Sequence, residues 1–83
     1  MNTFVMYGAK WCNACHAMAP MVEAVAADAG VGYVYYDAEE YIEQANDDGI
    51  YSLPTIILER DGVEVARGGS MSRDGLMQML RSA

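Results

Sequence analysis

Basic residues are scarce in this 83-residue chain: five Lys plus Arg stand against twelve Asp plus Glu, a formal net charge of −7. Nucleic-acid phosphates reward Lys and Arg, so this balance excludes a nucleic-acid partner. Long apolar runs are missing too. None approaches the roughly 20 residues that cross a bilayer, and no membrane role is expected. Met1-Asn2-Thr3 does not open a basic segment followed by an apolar one, so no secretory leader is visible and a cytoplasmic setting is expected. Internal repeats and low-complexity stretches are also absent. The length allows one domain, 1–83, which buries only about 60% of its unfolded surface. Cysteine occurs twice and lysine once. What remains is an ordinary globular composition, 53% hydrophobic and 20% charged.

The two cysteines stand together in Trp11-Cys12-Asn13-Ala14-Cys15, just after the apolar run Phe4-Val5-Met6-Tyr7. A Cys-x-x-Cys pair between a strand and a helix reads as a redox dithiol in an intracellular protein, where structural disulfides are rare. Cys12 then lies near a helix N-terminus, whose free N–H groups and dipole favour the thiolate. Cys15 follows one helical turn later, within reach of a disulfide.

Thr3 to Tyr7 reads as a strand, and Asn13 to about Asp28 as a helix. Met18, Met21, Val22, Val25 and Ala29 form its apolar face, Pro20 interrupts it and Gly30 stops it. Gly32 to Asp37 is a second strand, rich in aromatic and β-branched residues. Ala38 to Asp47 reads as a short helix with Tyr41, Ile42 and Ala45 on its apolar side. Six acidic residues from Asp37 to Asp48 crowd this region. A solvated face is the simpler reading of that cluster, and steering of a basic partner the alternative. Thr55 to Glu59 is a buried strand, Asp61-Gly62 a hairpin signal, and Val63 to Arg67 the returning strand. Gly68-Gly69 breaks the chain, and Ser72 caps a last helix carrying Leu76, Met77, Met79 and Leu80. The order βαβα–ββα implies an α/β fold: a four-stranded mixed sheet, βαβ plus ββα, flanked by three helices.

These residues resemble the thioredoxin superfamily, and thioredoxin more than glutaredoxin. Trp11-Cys12-x-x-Cys15 is similar to its active-site pentad, and Pro20 to its helix-kinking proline. Leu53-Pro54-Thr55 resembles its Ile-Pro-Thr segment, in which the proline is cis. Asp61-Gly62 and Gly68 match its hairpin turn and the glycine after its last strand. The resemblance covers about residues 3 to 82 and implies a minimal thioredoxin fold. The departures are specific. An N-terminal strand and helix of longer thioredoxins have no counterpart here. Asn13-Ala14 is neither the Gly-Pro of thioredoxin nor the Pro-Tyr of many glutaredoxins. Met6 stands where thioredoxins bury an aspartate that helps deprotonate the second thiol, and Tyr33 near that aspartate's lysine companion. After Gly68-Gly69 comes Ser70-Met71-Ser72, without the aspartate of glutathione-binding glutaredoxins.

The resemblance implies a thiol–disulfide oxidoreductase that reduces protein disulfides. Cys12 attacks; Cys15 resolves the mixed disulfide and leaves Cys12–Cys15 oxidised. Trp11, Leu53, Pro54 and Gly69 are expected to border the substrate, with the Leu53 backbone offered to an extended chain. Lys10, Asn13, Ala14 and His16 are expected to modulate the dithiol, whose potential falls within the family range of roughly −270 to −120 mV. Either a thioredoxin-reductase-type flavoenzyme or glutathione would recycle it, and ribonucleotide reductase is a candidate electron acceptor. The expected form is a monomer. No cofactor or metal is expected, because the sulfurs carry the electrons themselves.

Two rival readings remain. Cys12-x-x-Cys15-His16 matches the c-type haem attachment pattern, against which stand the preceding strand, the Leu-Pro-Thr segment and the missing leader. A metal-binding or interaction module is the other. A structural zinc site takes four protein ligands, and Cys12, Cys15 and His16 supply three.

Overall fold

Phe4-Val5-Met6-Tyr7 carries no charge because both of its faces are covered. It forms the middle of strand β1 (Asn2–Gly8), which pairs in parallel with β2 (Gly32–Asp37) and antiparallel with β3 (Thr55–Arg60). A strand buried on both faces reads as a continuous apolar run. Strand β4 (Val63–Gly68) completes the sheet in the order β2-β1-β3-β4. The computed structural model describes residues 1–82.

The alternation of β1 divides the core. Phe4 and Met6 join Ile56 and Leu58 beneath helix α1 (Asn13–Ala29) and helix α3 (Arg73–Ser82). Val5, Tyr7 and Ile57 face the other way, against Ala45 of helix α2 (Ile42–Asp47). The four-stranded mixed sheet with three helices is thus the architecture expected from the pattern.

Local chemistry explains the punctuation. Gly30 adopts φ 69° and donates to the Ala27 carbonyl, while the Val31 N–H reaches the Ala26 carbonyl at 2.9 Å. That pair of bonds is a Schellman stop. Asp61 and Gly62 take φ 53° and 83°, the two left-handed residues that a type I′ hairpin needs. The Ser72 hydroxyl accepts the Gly75 N–H at 3.1 Å and opens α3. Helix α1 runs on through Pro20, which has no N–H to give the His16 carbonyl.

Three expectations need correction. The acidic helix begins at Ile42, not Ala38, because the Asp37 carboxylate takes the Glu39 and Glu40 N–H groups at 2.8 and 3.2 Å and folds residues 38–41 into a turn. Of its supposed apolar side only Ala45 is buried; Tyr41 and Ile42 are about half exposed. On α1, Ala29 is exposed and Ala26 takes its place in the core.

Tyr7 is the polar hinge of the α2 face. It is fully buried, donates to Asp48 Oδ2 at 2.5 Å and accepts from Gln44 Nε2 at 2.9 Å. Its ring also meets Tyr36, which meets Tyr41 edge-on. Burial first, then the bond to Asp48, pushes the phenol up to about 12. Above the ordinary tyrosine value near 10 the unfolded chain ionises here while the folded chain does not. The associated stability is therefore complete below pH 10 and is lost as pH rises toward 12. Urea midpoints should fall across that window, and Tyr7→Phe should flatten the fall. At neutral pH the same substitution should cost about 1–2 kcal/mol, because Asp48 and Gln44 lose their partner. An unchanged alkaline profile would contradict this account of Tyr7.

Candidate active site

The chain leaves β1 at Gly8, crosses Ala9-Lys10-Trp11 and enters α1 with Cys12 as its N-cap. Cys12 has extended backbone, φ −93° and ψ 102°, and its Sγ accepts the Cys15 N–H at 3.2 Å. A sulfur therefore stands where a cap oxygen normally sits, facing the orphan N–H groups of a 17-residue helix. No acidic side chain occupies the first turn to oppose a negative charge. Such a position lowers a thiol below its free value of about 8.5.

Cys12 and Cys15 are joined by a disulfide. They differ in access: Cys12 keeps 7% of its surface and Cys15 none. Of the two, only Cys12 offers any surface to solvent. Asn13 and Ala14 between them are exposed on the first turn. Among the described residues, the fully buried members of the cluster around the pair, Phe4, Met6, Met18 and Ile56 among them, carry no ionisable group besides the thiols, and Tyr33 packs against its edge.

The residues flanking the dithiol are tied to it or to each other. Trp11 is 68% exposed, yet its indole N–H donates to Glu39 Oε1 at 3.0 Å. Lys10 points outward, its ammonium 3.9 Å from Glu40 Oε1. His16 Nε2 lies 2.6 Å from the Lys10 carbonyl, and a carbonyl only accepts, so this nitrogen donates. The Glu39 and Glu40 carboxylates, on the turn that follows β2, thus brace the loop before Cys12. The carboxylates of residues 37–40 remain on a solvated face, as their clustering implies, and two of them also hold the loop. The signal available in the sequence was Trp11 itself, whose N–H needs an acceptor wherever the ring is held.

The Leu53–Pro54 peptide is cis. Pro54 is buried, and Leu53 packs against the cluster that contains Cys12 and Cys15. Gly69 lies beside them: a Cβ built there would fall 3.6 Å from the Pro54 carbonyl oxygen. Gly68 is crowded not by backbone but by a methionine side chain, the terminal methyl of Met71. Among the described residues, no group of three or more His, Cys, Asp or Glu side chains is arranged to hold a metal ion. Nor is any described helix long and apolar enough to cross a membrane.

A reachable thiol capping a helix, a buried partner one turn on and a βαβ–ββα sheet define a thiol–disulfide exchange centre. The thioredoxin family model matches residues 1–82. Thioredoxin of Chlamydia muridarum is 35% identical over 78 residues, covering 92% of this chain and 76% of the relative. Thioredoxin of Mycolicibacterium smegmatis is 33% identical over 84 residues, covering 95% and 75%. Among solved structures, a thioredoxin of Fasciola hepatica superposes with a TM-score of 0.88 at 28% identity, over 98% of this chain and 79% of that one. A variant thioredoxin of Halobacterium salinarum gives 0.91 at 27%, over 98% and 73%. The chain belongs to the thioredoxin family, and it is a protein-disulfide oxidoreductase.

The bond between Trp11 and Glu39 is open to direct test, because Trp11 is the only tryptophan. Glu39→Ala should free the indole and lower the anisotropy of its emission. Glu39→Gln, whose amide oxygen still accepts, should keep the wild-type value. Equal anisotropy in all three proteins would mean the bond does not hold the ring.

Proposed function

We propose that this chain is a cytoplasmic, monomeric reductant of protein disulfides, recycled by a thioredoxin-reductase-type flavoenzyme. The observation that carries the reading is Cys12 Sγ capping α1 with the Cys15 N–H directed at it. That arrangement favours a thiolate, and the thiolate is the attacking species. Trp11, Leu53, Pro54 and Gly69 line the path of an extended substrate segment, the exposed indole providing a flat apolar wall. Lys10, Asn13, Ala14 and His16 tune the dithiol from the loop and first turn.

Charge favours the flavoenzyme over glutathione. Glutathione brings two carboxylates, and the surface beside the dithiol presents Asp37, Glu39 and Glu40, with Lys10 already facing Glu40. Like charges at that distance oppose docking. Ser72, at the position of the glutathione-binding aspartate of glutaredoxins, serves instead as the cap of α3. Ribonucleotide reductase is one protein disulfide that such a carrier would reduce.

The test couples the protein to NADPH consumption with a model disulfide. One arm supplies thioredoxin reductase; the other supplies glutathione with glutathione reductase. Turnover in the first arm alone is expected, abolished by Cys12→Ser, while Cys15→Ser should accumulate a mixed disulfide on Cys12. Turnover in the glutathione arm alone would overturn the assignment of the electron donor.

A further inference from the structure

Resolution of the mixed disulfide needs Cys15 as a thiolate, so its proton must leave. The route is not obvious, because Cys15 has no accessible surface and its buried neighbours carry no base. One opening comes up against it without exposing any of its surface. A pocket of about 630 Å³ lies between α1 and β2, and Cys15 forms part of its wall together with His16, Ala19, Pro20 and Glu23.

His16 is the group in that wall suited to take a proton. Its Nε2 donates to the Lys10 carbonyl, which fixes the neutral ring as the Nε2–H tautomer. Nδ1 then carries the lone pair and has no partner among the described residues. The ring follows Cys15 directly in the chain and borders the same solvent-filled space. The adjacent His16 carbonyl, denied an N–H by Pro20, adds an acceptor that can hold water there.

We propose that His16 Nδ1, acting through pocket water, accepts the Cys15 proton in the resolving step. The inference rests on the redox reading above. In the step, Cys15–SH gives its proton to His16 and becomes a thiolate. The thiolate attacks Cys12 Sγ of the Cys12–substrate disulfide. The Cys12–Cys15 bond forms as the Cys12–substrate bond breaks, and the bonding pair leaves on the substrate sulfur. That sulfur takes up a proton from the imidazolium or from solvent. Over the cycle the two cysteines lose two electrons and the substrate disulfide gains them.

Other titratable groups face the pocket. From β2 come Tyr33, Tyr35 and Asp37; from the turn before α2, Glu40 and Tyr41; from the loop, Lys10; from α1, Glu23. Burial raises Tyr33 and Tyr35, so these phenols are poor acceptors in the working range. Asp37 is occupied by two backbone N–H groups and Glu40 faces Lys10. Glu23 is the competing base, but eight residues along the helix place it about 12 Å from Cys15.

The aromatic disulfide dithiobis-nitrobenzoate separates the steps, since reduced protein releases one coloured thiolate when Cys12 attacks and a second when Cys15 resolves. His16→Gln keeps a donor for the Lys10 carbonyl but offers no base; His16→Ala offers neither. Both should slow the second release about a hundredfold at neutral pH, the lower end of general-base effects, and change the first far less. The gap should narrow as pH rises, because hydroxide then takes the proton without the imidazole. Added imidazole should restore His16→Ala, and Glu23→Gln should behave as wild type. A full second-phase rate in His16→Gln would overturn the proposal, leaving His16 as a tether. So would an equal fall in both phases, absence of imidazole rescue, or slowing by Glu23→Gln. Failure of the wild-type protein to release the first thiolate would instead remove the redox reading, and this inference with it.

Discussion

The hydrogen bond from the Cys15 N–H to Cys12 Sγ organises the whole site. In the function proposed above, one atom then serves both as helix cap and as attacking nucleophile. The helix that supplies the field is held by the apolar face that buries Met18, Val22, Val25 and Ala26 against β1, β2 and α3. Its far end is closed by Gly30 and Val31. A shift of α1 along the sheet would move the cap, the buried sulfur and the pocket wall together.

Asymmetry follows from the same geometry. One turn of helix carries Cys15 from the surface into the core, leaving Cys12 at the rim. The buried sulfur gains protection from stray oxidants but loses direct contact with water. The chain has answered that loss in its own way: Met6 fills the position beneath the dithiol with an apolar side chain, and the opening beside Cys15 lies between α1 and β2. The acidic turn at residues 37–40 also links site to scaffold. It folds on the Asp37 carboxylate and braces Trp11 and Lys10 from across the sheet edge.

Much of this was legible in the sequence, and physics explains which parts. Gly30, Asp61-Gly62 and Ser72 are local signals, since each satisfies backbone groups within a few residues. The uncharged centre of β1 announces burial on both faces without naming the partners. What escaped were pairings between distant positions. Trp11 and Glu39 are 28 residues apart, and a carboxylate in an acidic cluster looks like every other one until the fold selects it. The start of α2 was misplaced for a related reason: helical spacing does not reveal that Asp37 will consume the N–H groups of Glu39 and Glu40. His16 was visible as a neighbour of the dithiol, but its tautomer depends on a carbonyl that only the folded loop presents.

The most direct measurement is the pH dependence of alkylation of the reduced protein by iodoacetamide, with the modified residue identified by mass spectrometry. The account predicts modification confined to Cys12, with an ionisation midpoint clearly under the free-thiol value of about 8.5. A midpoint at or above about 8.5, or equal labelling of Cys15, would contradict the helix-capped thiolate on which the mechanism depends.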